Sequence, residues 1–226
     1  MHGSKQSPAD RRPCGPQPPA VGDDSEEALD VRTRRTRARL REAVLRLAAQ
    51  RPVEDISVAD LVRAARINRT TFYKHAESPA AVLEQVLYAD LDEVRAGWLT
   101  DTVTAELTAH EIWERASGAL VDHLERHDAI YTAGLAGRRS AVLHHLLVDH
   151  FTTSVHTLLD QDPELLPGGE GPAAWRADAY SRFVAHGEVG LVEAWLSLPT
   201  PRDRRLFTSA AATLLPPWLA TRPRQG

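Results

Sequence analysis

Along most of this chain, apolar residues recur three and four positions apart, the period of a helix that buries one face. Leu40, Ala43, Val44, Leu47 and Ala48 form one such stripe. They predict a helix from about Thr33 to Gln50, ended by Pro52. Val58, Leu61, Val62 and Ala65 repeat the pattern over a much shorter stretch. Ser57 stands just before that stripe with Asp60 three residues on, an N-cap with an acidic group near the start of the helix. The stripe stops at Ala65; Arg66 and Ile67 follow, and Asn68 can cap a second short helix from Arg69. Two short helices joined by a tight turn make a helix-turn-helix, here spanning 57–75.

The same period continues to the end of the chain. Ser78-Pro79 is an N-cap followed by proline in the first helical position, and Val82, Leu83, Val86, Leu87, Leu91, Val94 and Trp98 then stripe a long helix. Thr108 and Glu111 read as a capping box opening a helix to about His127, with Ile112, Trp113, Ala116, Leu120 and Leu124 facing inward. A short helix is expected over Asp128–Leu135 and a longer one over Ser140–Asp160. The Pro and Gly of 161–171 mark a loop. Pro172–Leu198 and a last helix opened by Thr200-Pro201 and ended by Pro216-Pro217 complete the pattern. No convincing period-two segment interrupts it, so the expected fold class is all-α: an N-terminal three-helix helix-turn-helix head and a helical body.

Composition adds boundaries. Residues 1–30 hold Pro8, Pro13, Pro16, Pro18 and Pro19 with few apolar groups, too little to offset the entropy of ordering, and predict a disordered arm. The head is placed at 31–77 and the body at 78–226. The single Cys14 has no partner in the chain, which rules out an internal disulfide or a thiolate zinc site and fits a reducing, cytoplasmic setting. No apolar run is long enough to span a membrane, and none resembles the core of a signal peptide, so no membrane partner is expected.

Charge divides the chain more sharply than its overall −4 suggests. Residues 31–80 carry 12 Lys and Arg against 5 Asp and Glu, a net +7, while 81–226 carry −8 and 1–30 carry −3. A basic module on an acidic body points to nucleic acid as the module's partner. Arg32, Arg34, Arg35, Arg37, Arg39 and Arg41 crowd the N-terminal half of the first predicted helix, where cations oppose the helix dipole. A phosphate backbone is the simplest counter-charge. The second short helix carries Arg69, Thr70, Thr71, Tyr73, Lys74 and His75, mostly donors suited to phosphate oxygens and base edges. Only Phe72 and Ile67 look like anchors to a core.

These residues carry a resemblance. Ser57-Val58, Leu61, Ala64-Ala65, Ile67-Asn68, Arg69, Thr71-Phe72-Tyr73 and His75 resemble the TetR family of bacterial transcriptional regulators, and the likeness extends from about Thr33 to about Leu87. Three positions depart from the family's pattern. Arg66 stands where a turn Gly is usual, Ala76 where an aromatic is usual, and Pro79 where a Lys is often found. A left-handed backbone at Arg66 would be strained. The resemblance implies a homodimer that binds a palindromic operator in double-stranded DNA, most simply as a repressor relieved by a small-molecule effector. It implies that Arg69, Thr70 and Thr71 read base edges and that Ser57, Tyr73, Lys74 and His75 hold phosphates. It also implies an effector pocket among the middle helices, with Trp98, Trp113, His127, Tyr131, Phe151, Trp175 and Tyr180 as candidates. Phe183–Leu198, with Gly187 and Gly190 at its centre, resembles the family's dimer helix.

Other chemistry is less well supported. His123 and His127 are four apart, the spacing of a two-histidine metal pair on a helix, and His144, His145, His150 and His156 lie on the next long helix. Histidines flanking apolar stripes are common without a metal, and no metal or cofactor is expected. No nucleophile–base pair stands out: Ser140 has no evident base beside it, so no catalytic residue is assigned and no enzyme is expected. The alternative is a helical metal- or small-molecule-binding protein, an enzyme included, whose DNA-binding head is vestigial.

Overall fold

The computed structural model describes residues 23–104, 107–137 and 140–219, and among them every regular element is helical. It divides at Thr36–Arg37 into two units. In the order of the chain, α1 is Asp23–Ala48, α2 Val58–Ala65, α3 Arg69–Tyr73, α4 Pro79–Thr104 and α5 Ala109–Arg126. After them come α6, Asp128–Tyr131, then α7, Ala141–Gln161, α8, Ala173–Leu196, and α9, Arg204–Leu214.

The expected disordered arm lies outside the described residues up to residue 22; from Asp23 the chain is helical, ten residues before the predicted start at Thr33. The helix breakers end at Gly22, and neither Pro nor Gly occurs again before Pro52, so nothing in the sequence stops α1 from extending backward. In the first unit, exposed Arg34 pairs with Asp30 at 3.1 Å.

Within the second unit, two apolar clusters hold the helices. One joins Leu40, Ala43 and Val44 of α1, Leu61 and Val62 of α2 and Phe72 of α3 to Leu83, Leu87 and Leu91 of α4, and continues into Leu120, Leu124, Leu147 and Val192. The other gathers Trp98, Ile112, Trp113, Val155, Leu158, Val184 and Ala211. Helix α4 contributes to both, because its stripe is long enough to leave one core and enter the next. Helix α7 packs most extensively on α8.

Local sequence sets most boundaries. Ser78 Oγ accepts from Ala81 N at 3.1 Å, and the Thr108–Glu111 capping box is present in both directions. The last helix starts later than Thr200-Pro201 suggests. Asp203 is its N-cap, accepting from Arg205 N at 2.9 Å. The link before it is held elsewhere. Buried Arg202 donates to Leu196 O at 3.0 Å, to Thr132 Oγ1 at 2.9 Å and to Asp128 Oδ1 at 2.5 Å, and lies 5.4 Å from the Trp195 ring centre. These long-range bonds keep 197–203 out of the helix.

Candidate nucleic-acid interface and body cavity

Helices α2 and α3 are built by their caps. Ser57 Oγ accepts from Asp60 N at 3.1 Å, and Asn68 Oδ1 accepts from Thr71 N at 2.7 Å. Between them the chain turns through Arg66, whose φ of 53° and ψ of 48° are left-handed. Ile67 N donates to Val62 O at 3.0 Å and Arg66 N to Arg63 O at 3.3 Å. That is a Schellman motif, which ordinarily takes Gly at the left-handed position. The strain foreseen for Arg66 is therefore present; the two closing hydrogen bonds and the half-buried Ile67 after it hold the turn.

Phe72 is wholly buried, and this single anchor fixes how α3 is presented. Arg69, Thr70, Tyr73 and Lys74 are exposed, Tyr73 at 61 %, while Thr71 and His75 are half-buried. Six of the seven DNA-binding candidates thus come from one short helix and its C-terminal turn. The seventh, Ser57, is exposed, but its hydroxyl is committed: it caps α2 and also donates to Asp60 Oδ2 at 2.9 Å. Asp60 is held in turn by Arg51 at 2.9 Å and Arg63 at 3.2 Å, and the Ser57 hydrogen bond keeps its carboxyl below the ordinary range. Arg37 and Arg39 of α1 are exposed.

The seven ligand candidates do not gather in one place. Trp98, Trp113 and Phe151 line one cavity of about 50 Å³, with the two indoles stacked at 5.9 Å. His127 and Tyr131 belong to a different buried cluster. Trp175 is 61 % exposed, and Tyr180 faces Trp218 at 6.4 Å. The cavity's walls also include Val94, Leu120, Val155 and Val184, with polar Arg95, Ser117, His150, Ser154 and Glu188 that the sequence does not assign to a site. Trp98 Nε1, Trp113 Nε1 and His150 Nδ1 are buried with no hydrogen-bond partner among the described residues. Burial, and then the charge of Arg95, push His150 down to about 4, and burial pushes the Glu188 carboxyl up to about 7. The signal for Glu188 was available: it falls between Val184 and Val192 at helical spacing, a carboxyl placed in an apolar stripe.

The second cluster lies where α4, α5 and α6 meet. His123 Nε2 and the Tyr131 hydroxyl are 2.7 Å apart, and His127 Nε2 is 3.1 Å from Asp90 Oδ2. Arg41 Nη2, from α1, donates to both oxygens of Asp90, at 2.8 and 2.9 Å. Burial would raise the Asp90 carboxyl, but the hydrogen bonds from Arg41 and His127 outweigh it and hold it below its ordinary value. A second polar link joins the segment before α2 to α7: Ser140 Oγ, the N-cap of α7, donates to Glu54 Oε1 at 2.5 Å. Ser140 is thus a cap with an acidic acceptor, and its setting is structural.

Exposed apolar groups concentrate on the C-terminal helices. Phe183 is 81 % exposed on α8, and Gly187, Gly190 and Ala194 continue its face at helical spacing, all exposed. Nothing lies within 4 Å of a Cβ built on Gly187 or Gly190. On α9, Leu206 and Leu214 are also exposed. No helix among the described residues is long and apolar enough to cross a membrane.

No family model matches the chain, and no curated protein matches it in sequence. Solved structures do match in fold. The fatty acid degradation regulator FadR from Bacillus halodurans is similar over 81 % of this chain and 94 % of its own, with 14 % identity and a TM-score of 0.55. A TetR-family transcriptional regulator from Syntrophomonas wolfei covers 80 % of this chain and 93 % of its own, with 11 % identity and a TM-score of 0.54. The TetR family repressor AlkX from Dietzia, implicated in biodegradation of n-alkanes, covers 81 % and 94 %, with 14 % identity and a TM-score of 0.50. Helix order, the α2–α3 turn and these likenesses agree: the chain has the all-α fold of the TetR-type transcriptional regulators.

Proposed function

We propose that this protein is a sequence-specific, DNA-binding transcriptional regulator, a cytoplasmic homodimer that represses from a palindromic operator and is released by a small-molecule effector. The observation that carries the reading is helix α3. It is short, anchored through Phe72 alone, and presents Arg69, Thr70, Tyr73 and Lys74 to solvent within a segment of net charge +7. A helix with so little to bury has its outer face available for the major groove. In helix-turn-helix proteins the start of the second helix reaches the base edges. Arg69, Thr70 and Thr71 occupy that start and are the proposed readers. Tyr73, Lys74 and His75 are the proposed phosphate contacts; Ser57 joins them only by giving up its bond to Asp60.

The dimer is supported by the exposed Phe183–Gly187–Gly190–Ala194 face, where two glycines allow close approach of a second helix. The effector site is supported by the apolar cavity with its stacked indoles and unpartnered N–H groups. Its present volume holds roughly four waters, against about 300 Å³ or more for a drug-sized ligand. An effector of that size must move the walls, and α4 is one of them. Because α4 also packs against α1 and α3 of the head, opening the cavity shifts the population of head orientations by the ligand's differential affinity for the two states. Among the similar structures, repression is the action named for AlkX and activation that named for DhaS.

The test is selection of the purified protein on a random duplex pool at two salt concentrations. An enriched palindrome, bound more weakly at the higher salt, is expected. Absence of enrichment by protein that is folded and dimeric overturns the reading.

A further inference from the structure

Asp90, His123 and His127 each offer a ligand atom, and the three atoms lie within 4.8 Å of one another. The two histidines are one helical turn apart at the end of α5, with ring centres 5.1 Å apart. Asp90 comes from α4, and the 3.1 Å between its Oδ2 and His127 Nε2 is close to the separation of two ligands on one ion. The donor set of two imidazoles and a carboxylate suits zinc and its neighbours in the first transition row rather than calcium or magnesium. Three protein ligands leave a fourth tetrahedral position for water.

Three further observations point the same way. His123 is 1 % exposed, and its Nδ1 is buried with no partner among the described residues, a nitrogen the protein's own hydrogen bonds do not explain. The other nitrogen of that ring is held by the Tyr131 hydroxyl at 2.7 Å, as a ligating imidazole is commonly oriented from its far side. A route from solvent exists: a cleft of about 360 Å³, lined by Arg41, Arg126, His127 and Asp128, opens beside the cluster.

Two guanidinium groups oppose an ion. Arg126 lines the same cleft, and its charge bears on both imidazoles. The Arg41 guanidinium occupies Asp90, placing a positive charge where the ion would bring two more. Only one nitrogen of Arg41 makes that contact, straddling both carboxylate oxygens, and the side chain is 43 % exposed, so it can turn out into water.

We propose that Asp90, His123 and His127 form a binding site for a divalent transition-metal ion of the zinc class, and that the ion competes with Arg41 for Asp90. Loading the site trades the ion pair between α1 and α4 for coordination between α4 and α5. Since α1 belongs to the helix-turn-helix head, metal occupancy and the seating of the head become linked through one carboxylate.

The test uses the full chain, free of any affinity tag and stripped with chelator, titrated with Zn²⁺ against a chromophoric chelator in the absence of DNA. The outcome is thus independent of whether an operator exists. One ion per chain is expected. Asp90→Asn, His123→Gln and His127→Gln should each weaken binding at least about tenfold, while circular dichroism shows helicity retained. Arg41→Gln should tighten it, an effect a purely structural arginine would not produce. Folded protein that takes up no stoichiometric Zn²⁺, or takes it up equally in the three ligand variants, overturns the site. Unchanged or weakened binding in Arg41→Gln overturns the competition.

Discussion

His150 makes the cost of burying a neutral imidazole measurable. It is 2 % exposed on α7, between the edge contacts of Tyr88 and Phe151, and it lines the body cavity. Asp92 lies 3.8 Å away, too far to hold its proton, and burial with the charge of Arg95 pushes the imidazole down to about 4. In the unfolded chain it titrates near 6.5. At pH 7 both states are neutral, and the group contributes nothing to the pH dependence. Below 6.5 the unfolded chain takes up a proton that the folded chain refuses, so stability falls as pH falls and stops falling below about 4. Each pH unit in that window is worth about 1.4 kcal/mol, so the loss from pH 7 to pH 5 is about 2 kcal/mol from this residue alone. The assay is urea unfolding of the wild type and His150→Gln at both pH values, followed by far-ultraviolet circular dichroism with chelator present. Glutamine does not titrate, while every other histidine is common to both proteins and cancels. The gap between the midpoints at pH 7 and pH 5 should narrow in the variant by about 1 M urea. A variant as acid-sensitive as the wild type, or an imidazole resonance titrating near 6.5 in the folded protein, would refute the argument.

Four further outcomes follow from residues of the helix-turn-helix. Arg66→Gly relieves the left-handed strain at the turn and should stabilise the protein by about 1 kcal/mol, less the extra entropy glycine loses on folding; equilibrium unfolding measures it. Ser57→Ala removes the α2 cap and frees Asp60, and should cost about 1 kcal/mol in the same measurement. Lys74→Ala should weaken binding to any duplex and reduce the slope of log affinity against log salt by about one. In contrast, Arg69→Ala should relax base preference at one position per half-site, and an unaltered preference matrix would exclude Arg69 as a reader.

The sequence alone was enough for the helical class, the position of the helix-turn-helix, the caps at Ser57, Asn68, Ser78 and Thr108 and the inner stripes of α1, α4 and α5. All of these depend on residues within about one turn of each other, where hydrogen bonding and a 3.6-residue period act directly. Even the departure at Arg66 was legible, since a Schellman turn needs a left-handed residue whatever side chain occupies it. Where α1 begins and where α9 begins were misjudged. The first is marked only by the end of the helix breakers at Gly22, because nothing between there and Thr33 interrupts a helix, and the second is set by Arg202 reaching across to Asp128 and Thr132. Tertiary structure alone decided which of the remaining candidate residues meet. It placed Trp98, Trp113 and Phe151 around one cavity, left Trp175 and Tyr180 elsewhere, and added His150 and Glu188 to the walls. The spacing of His123 and His127 was visible from the start; their third companion, Asp90, stands 33 residues before His123 and on another helix. Helical periodicity tells which residues of one helix share a face. Which faces meet depends on how α1, α4 and α5 pack, and that is a property of the whole core rather than of any local stretch.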